Sequence, residues 1–191
     1  MADDRELQVE IERLRAEKAA LAARVAALEA RLDDACQDIR AMESLTARDV
    51  MVTDVQVARP GDTLRDLLAR LRQGRFRRLP VVDADGRLVG IVTDRDVRLA
   101  ANSPYVMRER QEDERLLAGV QAAVIMTPDP ITASPETPLH ELARVMRTRK
   151  IGGLPIVDDD RRLVGIVTET DLLRKFEELL AAAAGWPFGG M

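Results

Sequence analysis

Near the N-terminus, apolar residues recur at alternating steps of four and three. They run Leu7, Ile11, Leu14, Leu21, Val25, Leu28, Leu32, Ala35, Ile39 and Met42, with Lys18 as the one charged member of the series and no Gly or Pro among them. A seam this narrow, held for about five heptads, predicts a coiled-coil helix over 1–43 rather than an amphipathic helix lying on the chain's own domain. Ile11, Lys18, Val25, Leu32 and Ile39 fall at position a, and Leu7, Leu14, Leu21, Leu28, Ala35 and Met42 at d. Leu at d with β-branched residues at a favours a parallel pair, and a Lys at a disfavours higher oligomers. The flanking charges agree: Glu10 at g would face Arg15 at e of a partner, and Arg24 would face Glu29. The seam would be about 54 Å long at the helical rise.

Beyond position 44 the pattern changes to short apolar runs separated by helical stretches, and it occurs twice. Adding 75 to a residue number carries one copy onto the other without a gap: Met51 onto Met126, Asp54 onto Asp129, Leu67 onto Leu142. Leu79-Pro80-Val81-Val82-Asp83 maps onto Leu154-Pro155-Ile156-Val157-Asp158, and Leu88-Val89-Gly90-Ile91-Val92-Thr93 onto Leu163-Val164-Gly165-Ile166-Val167-Thr168. A repeated supersecondary unit that cannot bury its apolar face alone packs against its copy.

Each copy reads as strand, helix, strand, strand, helix. Val55–Val57 is the expected first strand. Thr63 and Asp66 form the signature of a capping box opening a helix over Leu64–Arg72. In the second copy Pro138 is expected just inside the helix start. Leu79–Val82 and Leu88–Val92 flank Asp83-Ala84-Asp85-Gly86, a hairpin signal. Thr93 then opens a second helix. The expected organisation is 1–43 coiled coil, 44–102 first repeat, 103–122 linker with Arg108–Leu117 helical and exposed, 123–178 second repeat, and 179–191 an apolar tail. The fold class is α+β.

Composition narrows the function. Of 191 residues, 46% are hydrophobic and 32% charged, as in a globular chain, and the net charge of −4 gives no general attraction to nucleic acid or anionic membrane. Cys36 is the only cysteine, so no internal disulfide and no cysteine-built zinc site is possible. Nothing resembles a signal peptide or a membrane span, and a cytoplasmic location is expected.

The most informative motif is Gly90-Ile91-Val92-Thr93-Asp94-Arg95-Asp96, repeated as Gly165-Ile166-Val167-Thr168-Glu169-Thr170-Asp171. A Thr-x-x-Asp at a helix start is a capping box that needs no ligand. The same helix terminus presents free N–H groups to a phosphate, and its carboxylate can accept the hydroxyls of a ribose. The residues alone leave both readings open.

These repeats resemble CBS domains, and the pair resembles a Bateman module, over about residues 45–178. The motifs that carry the likeness are Leu-Pro-Val-Val-Asp and Gly-Ile-Val-Thr-x-x-Asp, each present twice. The resemblance implies a pseudo-twofold pair with two clefts that take adenosine-containing ligands such as AMP, ADP, ATP or S-adenosylmethionine. It gives Asp96 and Asp171 a ribose role, places Thr93 and Thr168 near phosphates, and pairs the Asp of one copy with the pre-strand residues of the other. Arg77 and Arg78 stand at that pre-strand position in the first copy; Gly152 and Gly153 replace them in the second, with Lys150 and Arg149 nearby. The cleft on Thr168 and Asp171 should therefore face more positive charge than the cleft on Thr93 and Asp96.

Other chemistry is weaker. Asp158-Asp159-Asp160 occupies a hairpin turn, where Asp is favoured for backbone reasons. His140 has no nucleophile pattern beside it. Cys36 falls at e of the coil and is expected as a reduced thiol. Around the arginine cluster only Phe76 offers a stacking ring, which disfavours nucleic acid. The reading is a non-enzymatic, homodimeric sensor of adenosine nucleotides that relays a conformational change to an effector protein of unknown identity, with no metal required. The alternatives are a ligand-free scaffold and an S-adenosylmethionine sensor.

Overall fold

In this computed structural model the described residues are 2–101 and 117–184. Most of the expected exposed helix Arg108–Leu117, and the tail beyond 184, lie outside them. The chain divides into two units, Met1–Ser44 and Leu45–Met191. The first is one helix, α1 (Ala2–Glu43). Along it Ile11, Leu14, Leu21, Val25, Leu28 and Leu32 are all exposed.

The second unit holds the repeats. The first contributes a 3₁₀ turn (Ala47–Asp49), α2 (Leu64–Gly74), β1 (Arg78–Val82), β2 (Leu88–Thr93) and α3 (Asp94–Ala101). The second contributes α4 (Ala122–Ile125), β3 (Thr127–Pro128), α5 (Leu139–Arg149), β4 (Gly153–Val157), β5 (Leu163–Thr168) and α6 (Glu169–Ala184). β1 and β2 are antiparallel, as are β4 and β5, and the register irregularity at Val81/Val82 recurs at Ile156/Val157. The Thr63–Asp66 capping box opens α2 as expected. Pro138 takes the N-cap position of α5 rather than its first helical turn.

The segment Val55–Val57 is not a strand. Ala58 alone pairs in parallel with Val81, its N–H bonding to Pro80 O at 2.8 Å and its carbonyl accepting from Val82 N at 3.0 Å. The next rung backward would need an N–H from residue 80, and proline has none. Ala133 and Pro155 repeat this arrangement.

The leading segment of each repeat crosses to the other repeat. Val52 exchanges two hydrogen bonds with Ile166 of β5, both 3.0 Å. β3 pairs in the same way with Gly90 and Ile91 of β2. Thr46 bridges Pro138 and Thr63 bridges Gln121, each being the other's counterpart 75 residues away. Packing follows this exchange. Ala122 completes the core of Leu64, Leu67, Leu71, Leu79, Val81, Val92 and Val97. Ala47 and Val50 complete the core of Leu142, Met146, Leu154, Ile156 and Val167. A third cluster, Val82, Leu88 and Val157, joins the two repeats. There Leu88 N bonds to Arg161 O and Leu163 N to Gly86 O.

The crossing explains the glycine in the centre of β2 and β5. A Cβ on Gly165 would stand 2.8 Å from the Met51 sulfur, and Gly90 lies in the same way under Met126. The strand gives up a side chain so that a methionine from the other repeat can lie across it.

Candidate functional site

β5 ends at Thr168, and α6 begins one residue on. Asp171 stands three positions after Thr168, so its carboxylate turns back onto the free N–H at the helix start. Asp171 Oδ2 accepts from Thr168 N at 2.9 Å and from Thr168 Oγ1 at 2.6 Å. Asp171 Oδ1 accepts from Arg174 Nη2 at 3.1 Å. Asp171 is only 6% exposed, yet it borders the cavity described next. The first repeat builds the same device: Asp96 Oδ2 accepts from Thr93 N at 2.8 Å and from Thr93 Oγ1 at 2.6 Å. Asp96 N also donates to Thr93 Oγ1 at 3.3 Å, which completes a capping box there, as the local reading expects; at Thr168 the carboxylate half of that box is formed.

Only the second device opens onto the cavity. This cleft is about 390 Å³ in volume and draws its walls from both repeats. Ile166, Thr168, Glu169, Thr170, Asp171 and Gly152 come from the second repeat. Val52, Asp54, Val55 and Gln56 come from the crossing segment of the first, and Arg75, Phe76, Arg77 and Arg78 from the stretch between α2 and β1. The structure thus brings together Thr168, Asp171, Arg77 and Arg78. Gly152, expected from the sequence to face Thr93 and Asp96, lines this cleft. Thr93, Asp96 and Lys150 do not border this cavity. Lys150, like its counterpart Arg75, is instead a helix C-cap in the left-handed region, with φ of 54° and 52°.

Arg78 crosses from one repeat to the other. Its Nη1 donates to the carbonyl oxygen of Gly152, which also accepts from Glu169 N at 3.2 Å. A Cβ on Gly152 would stand 2.7 Å from Arg78 Nη2 and 3.2 Å from Glu169 Oε2, so the missing side chain makes room for both. Burial pushes the Arg78 guanidinium below its ordinary value, while the Glu169 carboxylate pulls the other way. The position matching Arg78 is Gly153, so no arm returns from the second repeat.

Sequence reasoning missed the wall formed by Asp54, Val55 and Gln56, and the ring of Phe76. A signal was available in Pro80, which forbids pairing there and leaves that segment free to line a cleft. Asp158, grouped with Asp159 and Asp160, serves the turn: its Oδ1 accepts from Asp160 N and Arg162 N at 3.0 and 2.8 Å. Among the described residues no cluster of His, Cys, Asp or Glu is suited to a metal ion. No described helix is long and apolar enough to cross a membrane.

The CBS domain family matches at residues 47–103 and again at 121–178. A CBS domain-containing protein of Dictyostelium discoideum is 42% identical over 113 residues, covering 59% of this chain and 78% of that protein. The chain spans less than half the length of several other curated relatives that it matches. Among solved structures, the CBS domain pair of protein MJ0100, in complex with 5′-methylthioadenosine and S-adenosyl-L-methionine, superposes with a TM-score of 0.57. It is 30% identical, and the match covers 70% of this chain and 97% of that one. The complex of CBSX2 with AMP, a protein of Arabidopsis thaliana, gives 0.61 at 26% identity, covering 70% and 97%. With two matched repeats that exchange their leading segments and share one cleft, the chain belongs to the CBS domain family, as a tandem CBS pair.

Proposed function

We propose that this chain is a regulatory sensor whose Thr168–Asp171 cleft binds an adenosine nucleotide. One observation carries the reading: a cavity of about 390 Å³, walled by both repeats, with a helix-terminal Thr–Asp pair on one side and Arg75, Arg77 and Arg78 on the other. That volume falls within the usual range for small-molecule sites. The neighbours in complex with AMP and with S-adenosylmethionine support an adenosine-containing ligand.

Each wall has a task in this reading. Asp171 accepts the ribose hydroxyls on the carboxylate that also caps α6. The N–H groups opening α6, with Thr168, meet the phosphate. Arg77 and Arg78 add charge-assisted hydrogen bonds to phosphate oxygens, each contributing about 1.5–3 kcal/mol. Phe76 and Val55 give the base an apolar surface. This cleft prefers more highly phosphorylated ligands than the one on Thr93 and Asp96, where Gly152 and Gly153 stand in place of the arginine pair. Because the walls come from both repeats, a ligand with different affinity for two arrangements of them shifts their balance. The exposed seam of α1 supports a parallel homodimer as the route by which the shift reaches an effector protein.

The test is calorimetry of the purified chain with AMP, ATP and S-adenosylmethionine. Saturable binding of at least one is the expected result, and none binding removes the sensor reading in favour of a scaffold. Arg77→Ala with Arg78→Ala should weaken ATP more than AMP, and more at low salt than at high.

A further inference from the structure

The same cleft that carries Arg75, Arg77 and Arg78 also carries carboxylates, and one of them is placed against the arginines. Glu169 is the first residue of α6, and its side chain borders the cavity. Its Oε2 lies beside Gly152, on whose carbonyl Arg78 rests. In the first repeat the matching residue is Asp94, and that carboxylate is taken up by Arg98 Nη2 at 2.5 Å, one turn along α3. In α6 the residue one turn after Glu169 is Leu173, which cannot do this. So Glu169 faces across to the other repeat, where Arg78 has entered the space left by Gly152 and Gly153.

We propose that Glu169 sets the charge preference of the Thr168–Asp171 cleft by competing with the ligand's phosphate for Arg78. This rests on the reading of that cleft as a nucleotide site. A phosphate that reaches Arg78 must share it with, or take it from, the Glu169 carboxylate and the Gly152 carbonyl. A neutral ligand meets no such competition. A cationic ligand gains from Glu169. The residue therefore lowers the affinity of anionic adenosine ligands and keeps the cleft open to uncharged or cationic ones. The electrostatic pull of Glu169 on the Arg78 guanidinium is consistent with this placement.

The experiment titrates wild type and Glu169→Gln with three adenosine compounds differing in charge: AMP, 5′-methylthioadenosine and S-adenosylmethionine. One partly screened unit charge at this range changes affinity by about fivefold. Glu169→Gln should bind AMP about fivefold more tightly, leave 5′-methylthioadenosine unchanged, and bind S-adenosylmethionine more weakly. The AMP gain should vanish when Glu169→Gln is made in an Arg78→Ala background. An equal change for all three compounds, no change for AMP, or a gain that survives Arg78→Ala overturns the inference and leaves the cleft a nucleotide site. Absence of binding by all three to both proteins overturns the nucleotide reading as well.

Discussion

Arg78 of the first repeat donates to the carbonyl oxygen of Gly152 in the second, and the reciprocal arm is missing because Gly153 stands where it would begin. The two halves match in their bridges and crossing segments, while Thr63 caps α2 where Pro138 opens α5. At the cleft the asymmetry centres on one side chain and the two glycines that admit it.

Gly152→Ala should displace the Arg78 guanidinium and the end of Glu169, because an added Cβ has no other room. Each of Gly152→Ala and Arg78→Ala should lower stability modestly, and the two together should be less than additive. A coupling of about 0.5–3 kcal/mol, read from denaturant midpoints in a double-mutant cycle, is the expected size. Strict additivity would mean that Arg78 does not occupy that space.

Gly165→Ala tests the exchange of segments. Its Cβ would press on the Met51 sulfur at 2.8 Å, and overpacking of this kind costs about 1–3 kcal/mol. Shortening the methionine with Met51→Ala should recover part of that loss. If Gly165→Ala is neutral by thermal melting, Met51 does not lie across β5.

Much of this was legible in the sequence, and the parts that were not share a cause. The offset of 75 residues, the capping boxes at Thr63 and Thr93, the Thr168–Asp171 pairing at the start of α6, and the hairpin turns at Asp83 and Asp158 are local patterns, and each was found where expected. The pairing of Val52 with Ile166 joins residues far apart in the chain. Nothing local to Met51-Val52 distinguishes a strand for its own repeat from one lent to the other. Val55–Val57 looked like a strand because it is apolar at both ends; what decides against it is Pro80, a residue on the strand it would have to join. At the site, Asp171 and Arg77 were legible as types, but Phe76 and Gln56 became lining residues only through that crossing.

Acid should weaken the first repeat through its caps. The Thr63 hydroxyl, then its N–H, hold the Asp66 carboxyl below its ordinary 3.8, and the Thr46 N–H and hydroxyl do the same for Asp49. A carboxyl depressed in the folded state adds stability above its unfolded value. That stability is lost as pH falls below 3.8 through the folded value. Denaturant midpoints at about pH 5 and about pH 3 should fall further for wild type than for Asp66→Asn, which has no carboxylate to protonate. Equal falls would remove Asp66 as a source of acid sensitivity.

The seam on α1 predicts a dimer. Light scattering should give twice the monomer mass for the full chain, and Leu14→Lys with Leu21→Lys should shift it toward monomer by placing charge at two d positions. A monomeric full chain removes the coil. A chain beginning at Ser44 that stays dimeric shows that the repeats also self-associate.

The central claim is that nucleotide sits against Asp171, and calorimetry with AMP on wild type, Asp171→Ala and Asp96→Ala tests it most directly. Both substitutions remove a cap and should each cost about 0.5–2 kcal/mol of stability, so melting curves alone do not separate them. The account predicts that Asp171→Ala loses binding at this cleft, while Asp96→Ala retains it. Binding by Asp171→Ala with wild-type affinity, despite the lowered melting temperature, would contradict it: Asp171 would then be a cap and nothing more.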